Sequence, residues 1–130
     1  MKKVKNYVLD KQDEEIVNLF TQLGMPRNLA KTLTYVSQVE ECRSSDVEKG
    51  ANLRQPEVSV AMRELRRKKW VKKREIKKKG KGRPIHFYKS TMTLYEIWKA
   101  FEKEKLKEVE SIKRDISRLR DIIERKNVGG

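Results

Sequence analysis

Val47-Glu48-Lys49-Gly50-Ala51-Asn52-Leu53-Arg54-Gln55-Pro56-Glu57-Val58-Ser59-Val60-Ala61-Met62-Arg63-Glu64-Leu65 holds two helical periods joined by a turn of very few residues. The first helix begins at Ser44 or Ser45, where a hydroxyl can accept from an unpaired backbone N–H, and runs through Ala51. Asn52 ends it, because asparagine tolerates the left-handed backbone that a sharp turn between helices requires, and Leu53 points back to the core. The second helix starts near Gln55 with Pro56 in its first turn, where a missing N–H costs nothing, and continues to about Lys69. Val58, Met62 and Leu65 form its inner stripe. Arg54, Gln55, Glu57, Ser59, Val60, Arg63, Arg66 and Arg67 make the opposite face polar and mainly cationic.

Beyond this pair the hydrophobic period changes from helical to alternating. Trp70 to Lys77 and Pro84 to Lys89 read as two strands, joined by the glycine-punctuated tip Lys78-Lys79-Gly80-Lys81-Gly82-Arg83. The charge lies here as well. Residues 54–90 carry 15 Lys and Arg against Glu57, Glu64 and Glu75, so they hold +12 of the chain's net +14. Residues 1–53 balance eight bases against eight acids, and residues 91–130 carry ten against eight. A cationic segment set between nearly neutral flanks points to a polyanionic partner.

Working outward toward the N-terminus, a basic tail precedes Asp10, which can cap a helix with Ile16, Leu19, Phe20 and Leu23 as its apolar stripe and Gly24 as its stop. Met25-Pro26 starts another, whose buried stripe is Leu29, Ala30, Leu33, Tyr35 or Val36, and Val39. Glu40 to Arg43 is long enough only for a bridging strand. Toward the C-terminus, Leu94 to about Arg125 contains no proline or glycine and reads as one long helix. Leu94, Ile97, Trp98 and Phe101 form a broad apolar face at its start, suited to core or dimer packing. Val109, Ile112, Ile116, Leu119 and Ile123 then alternate steps of three and four, as a coiled-coil seam does. A parallel pairing would set Glu108 against the partner's Lys113 and Asp115 against its Arg120, whereas an antiparallel one opposes like charges. The expected architecture is mainly α with a small β-hairpin. A domain over 1–91 is followed by a dimerisation helix over 92–126 and a short tail over 127–130.

The run from Val47 to Leu65, with Trp70-Val71 after it, resembles the helix-turn-helix of winged-helix transcription regulators. Leu53, Val58, Met62, Leu65 and Val71 fall at that family's core positions, and Val58-Ser59 matches a pair frequent in its recognition helices. Gly82-Arg83-Pro84-Ile85-His86-Phe87-Tyr88-Lys89 looks like the returning strand of the wing in archaeal TrmB-like and MarR-like regulators. The resemblance implies a homodimer that binds double-stranded DNA, with the helix over 55–69 in the major groove and the wing over 77–83 on phosphates. Arg54 would then face guanine and Gln55 adenine, with Ser59 or Arg63 reaching a base or a phosphate; Glu57, Val60 and Arg67 share that face. Lys77, Lys78, Lys79, Lys81 and Arg83 would follow the backbone without fixing a sequence. Two such units on a parallel coiled coil predict a palindromic site with half-sites about one helical turn apart. The chain has no counterpart to the large effector domain of TrmB-type sugar regulators, which leaves a small-molecule effector open.

Other classes fit less well. No apolar run approaches a membrane span and Met-Lys-Lys-Val-Lys lacks the hydrophobic region of a secretory signal, so the expected compartment is the cytoplasm. The single Cys42 excludes an internal disulfide and the multi-thiolate site of ArsR-like metal sensors; it reads as a small buried hydrophobe. His86 is the only histidine and reads as a strand residue, so neither a metal nor any other cofactor is expected. Nucleophile–base pairs, Gly-rich phosphate loops and carboxylate constellations are missing, which argues for a binder and against an enzyme. Two rivals share the basic face: an architectural protein that coats DNA without sequence preference, and a winged-helix adaptor for RNA or protein.

Overall fold

The computed structural model describes residues 7–77 and 82–127. Among them the chain forms α1 (Lys11–Gln22), α2 (Arg27–Gln38), α3 (Ser44–Gly50), α4 (Gln55–Arg67), β1 (Val71–Ile76), β2 (Ile85–Ser90) and α5 (Leu94–Asn127). The strands pair antiparallel, from Val71 opposite Ser90 to Ile76 opposite Ile85. This is the mainly helical architecture with a two-stranded wing and a long C-terminal helix that the sequence predicts. No helix among the described residues is long and apolar enough to cross a membrane.

Helix α2 is buried on nearly every side. Its expected stripe of Leu29, Ala30, Leu33 and Val39 lies in the core, and Tyr35 and Val36, expected as alternatives, are both buried; so are Thr32, Thr34 and Ser37. Two of these hydroxyls are satisfied within the helix: Thr32 Oγ1 donates to the Asn28 carbonyl at 2.8 Å, and Ser37 Oγ to the Thr34 carbonyl at 2.8 Å. Thr34 Oγ1 has no hydrogen-bond partner among the described residues.

Helix α1 turns a different face inward from the one its leucines suggest. Asp13, Val17 and Phe20 are buried, while Leu19 and Leu23 are 58% and 54% exposed. The cause is a polar anchor. The Tyr7 hydroxyl donates to the Asp13 carboxylate, and the Tyr7 ring packs 5.9 Å from that of Tyr35. Asp10 caps α1 as expected: its side chain accepts from the Asp13 N–H at 2.9 Å, and Asp13 accepts from the Asp10 N–H at 3.0 Å. Tyr7 is therefore a core residue and not part of a tail; residues 1–6 lie outside the described residues. The segment after it crosses α3, where the Leu9 N–H donates to the Gly50 carbonyl at 2.9 Å. A Cβ at Gly50 would overlap both the Tyr35 ring and the Tyr7 carbonyl, so this crossing requires glycine.

The α3–α4 pair follows its sequence closely. Asn52 takes the left-handed conformation at φ 53°, Leu53 is buried, and Val58, Ala61, Met62 and Leu65 form the inner face of α4. The cap of α3 differs from expectation. Arg43 is the capping residue, and its N–H donates to the Asp46 carboxylate at 2.8 Å, so an acid in the first turn does what a serine hydroxyl was expected to do. After α4 the chain reverses at Lys69, whose φ of 64° is unusual for lysine. Thr91 holds that turn: its hydroxyl donates to the Lys69 carbonyl at 2.7 Å and its N–H to the Trp70 carbonyl at 2.9 Å. The expected bridging strand is a single antiparallel bridge between Cys42 and Tyr88, with bonds of 3.0 and 2.7 Å.

The chain divides into two compact units, Met1–Ile97 and Trp98–Gly130, so the first turn of α5 belongs with the N-terminal unit, where Ile97 is fully buried. Thr93 and Glu96 cap that turn reciprocally, at 3.0 and 3.1 Å. Helix α5 has 34 residues and ends at Asn127. Of the expected tail, residues 128–130 lie outside the described residues.

Candidate nucleic-acid interface

The outward face of α4 begins at its cap. Gln55, Pro56, Ser59, Arg63, Arg66 and Arg67 are exposed, and Val60 is 63% exposed in their midst. Two glutamates share this face, and neither presents a bare carboxylate. Glu57 accepts from the Arg54 N–H at 2.8 Å, from Arg54 Nε at 3.5 Å and from Asn28 Nδ2 at 3.1 Å. The first of these bonds does most to hold its carboxyl below the usual range, and the Arg54 charge and the Asn28 amide add to it. Glu64 accepts from Arg67 Nε at 3.0 Å and from Nη2 at 2.5 Å, a bidentate pair that likewise lowers its carboxyl. Arg63 and Arg66 make no ion pair among the described residues and carry the unbalanced positive charge of the helix.

This arrangement redistributes the roles expected from sequence. Arg54 remains largely exposed but leans on Glu57, and Arg67 is held by Glu64. Glu57 belongs to the frame of the site: it closes the first turn of α4 and ties it to α2 through Asn28. Asn28 carries no sequence signal for that role. The Glu64–Arg67 pair was legible, since residues three apart on a helix are neighbours.

Beside α4, the wing is fixed at its base. Arg74 on β1 donates to Glu41 at 3.1 and 2.6 Å and lies 5.2 Å from the Phe87 ring centre, so its charge serves the hairpin's attachment. Lys68 lies over the Trp70 ring at 5.1 Å. His86 stands opposite Glu75 across the strands, with Nδ1 3.5 Å from Oε1 and no hydrogen bond between them. Lys77 and Arg83 are exposed on either side of the tip, while Lys78, Lys79 and Lys81 lie outside the described residues. Cys42, one of the two residues of the bridge, is buried, and its thiol is pushed up to about 12, chiefly by burial and further by Asp46 and Glu41.

On α5, Phe101 is 6% exposed and Trp98 42%, so these neighbours on one expected face differ in environment. Farther along, Val109, Ile112, Ile116, Leu119 and Ile123 are between 44% and 63% exposed. Leu106 and Ile122 are exposed to a similar degree and broaden the stripe beyond the heptad positions, which is why the heptad pattern alone missed them. In the same stretch Lys105 pairs with Glu108 at 3.0 Å.

No protein-family model matches the chain, and no curated protein matches it in sequence. Solved structures do match. A possible transcriptional regulator from Methanosarcina mazei Go1 superposes with a TM-score of 0.61 at 12% identity, over 88% of this chain and 98% of that one. NadR in complex with 4-hydroxyphenylacetate gives 0.47 at 15% identity, over 93% and 82%. The MepR–DNA complex from S. aureus gives 0.46 at 20% identity, over 88% and 89%. The first of these likenesses shows a shared fold, and that fold is the winged helix-turn-helix.

Proposed function

We propose that the chain is a homodimeric transcription regulator that binds double-stranded DNA sequence-specifically. Helix α4 enters the major groove, the hairpin over 77–83 lies on the phosphate backbone, and α5 pairs the protomers through Val109, Ile112, Ile116, Leu119 and Ile123. The observation that carries this reading is the outward face of α4: Gln55, Ser59 and Arg63 are exposed donors at helical spacing, and both carboxylates on that face are already engaged. A face with satisfied acids and unpaired arginines attracts phosphates, while its amide and hydroxyl can meet base edges. The fold shared with the Methanosarcina mazei protein, itself described as a possible transcriptional regulator, is consistent with it. Trp98, still 42% exposed, adds to the pairing surface of α5, whereas Phe101 is already buried within the protomer; the setting is the cytoplasm.

The test is titration of fluorescent duplexes, selected from a random pool, against unselected duplex at 50 and 200 mM salt. A dimer engaging about six to ten phosphates should lose about 10³–10⁵ in affinity across that range. Arg54→Ala should flatten base preference, while Lys79→Ala should weaken all duplexes alike. Affinity independent of salt refutes DNA binding. A steep slope without preference for the selected duplex instead identifies an architectural protein.

A further inference from the structure

Val60 is the one large apolar side chain on the exposed face of α4, and its surroundings make it more than an incidental surface residue. At 100° per residue, Pro56, Val60, Arg63 and Arg67 fall in one line along the helix. Beside that line opens a cavity of about 580 Å³, lined on the α2 side by Pro26, Asn28 and Leu29 and on the α4 side by Pro56, Val60 and Ala61 together with the charged Glu57, Arg63, Glu64 and Arg67. The polar groups at its edge are committed elsewhere: Asn28 to Glu57, and Glu64 to Arg67. The centre of the face therefore offers an apolar pad, with the unpaired Arg63 beside it.

An apolar pad within a cationic face fits a duplex at one kind of position. Apart from small ring C–H groups, the major-groove edge presents hydrogen-bond donors and acceptors, and the C5 methyl of thymine is the one apolar group that projects into the groove, so it is the group an aliphatic side chain selects. We infer that Val60, supported by Pro56, reads a thymine methyl at a fixed position in each half-site and so makes a T·A pair part of the recognised sequence. This inference rests on the placement of α4 in the major groove proposed above. It adds a base identity that hydrogen-bonding residues alone do not supply. Because the contact is to the methyl and not to the ring, 5-methylcytosine at the same position would meet Val60 in the same way.

The experiment compares duplexes selected from a random pool with the same duplexes carrying deoxyuridine in place of each thymine in turn, which removes only the methyl. Wild-type protein should lose about fourfold in affinity per half-site at one position and almost nothing at the others, the size expected from exposing one methyl group. Val60→Ala should bind the thymine and deoxyuridine duplexes equally, and Val60→Ile should restore the difference. Val60 is exposed, so neither variant threatens the core. If the wild type binds its selected duplexes tightly but no single deoxyuridine weakens it, the methyl reading is wrong and the DNA-binding reading stands. If no duplex is bound with a salt-dependent affinity, the underlying placement of α4 fails and the inference falls with it.

Discussion

Replacing Gly50 by alanine sets two effects of opposite sign against each other. Gly50 is the last residue of α3, and in a helix alanine is favoured over glycine by about 1 kcal/mol. Propensity alone therefore predicts a more stable protein. The added Cβ, however, would run into the Tyr35 ring, which is 1% exposed and cannot move aside, and into the Tyr7 carbonyl. The segment carrying Tyr7 must lift. Lifting it exposes the Tyr7 side chain, worth about 2 kcal/mol, and breaks the bond from the Leu9 N–H to the Gly50 carbonyl, worth about 1 kcal/mol. It also strips buried Asp13 of its phenol donor, at about 1–3 kcal/mol. Less the gain in propensity, Gly50→Ala should destabilise by about 3–5 kcal/mol in urea unfolding followed by circular dichroism. A double-mutant cycle identifies the route. Tyr7→Ala should be costly in the wild type and nearly silent beside Gly50→Ala, because the contact it removes has already gone. A Gly50→Ala protein as stable as the wild type, or more so, refutes the argument.

Four further outcomes are expected. Thr34→Val replaces a buried hydroxyl that lacks a partner among the described residues with a methyl of the same shape, and should raise stability by about 1 kcal/mol in the same urea assay. Burial raises Tyr7 above its ordinary range and Tyr35 and Cys42 to about 12, so the folded protein keeps protons that the unfolded chain releases from about pH 9 upward. Stability should be insensitive to these groups below pH 9 and fall between pH 9 and 12. At pH 8 the Cys42 thiol should react with a disulfide reagent only after urea is added. If α5 pairs two protomers as proposed, Ile116→Lys puts a charge in that seam and should shift the protein to a monomer in sedimentation equilibrium, with weaker duplex binding at unchanged helicity.

Much of the fold was legible because the helix-turn-helix relies on local signals: Asn52 at a left-handed turn, Pro56 in a first turn, and Val58, Met62 and Leu65 at helical spacing. The parts that were not legible depend on partners distant in sequence. The inward phase of α1 is set by Asp13, which looks like a surface residue until Tyr7 is placed beside it. The buried hydroxyls of α2 look polar in composition, yet two of them are satisfied by the helix's own carbonyls. Lys69 adopts a glycine-like conformation because Thr91, 22 residues later, holds the turn. In the candidate site, the exposed residues were readable from periodicity. The pairing of Arg74 with Glu41 across 33 residues was not, so the usable charge of the basic segment is smaller than its formal sum.

The amide of Asn28 grips the carboxylate of Glu57 across 29 residues of sequence. The first turn of α4, the end that would meet a base first, is thus tied to α2 by a residue that need never touch one. Under the proposed reading of α4, Asn28→Ala should alter base preference while leaving every outward-facing side chain of that helix in place, a change that a survey confined to outward-facing residues would overlook.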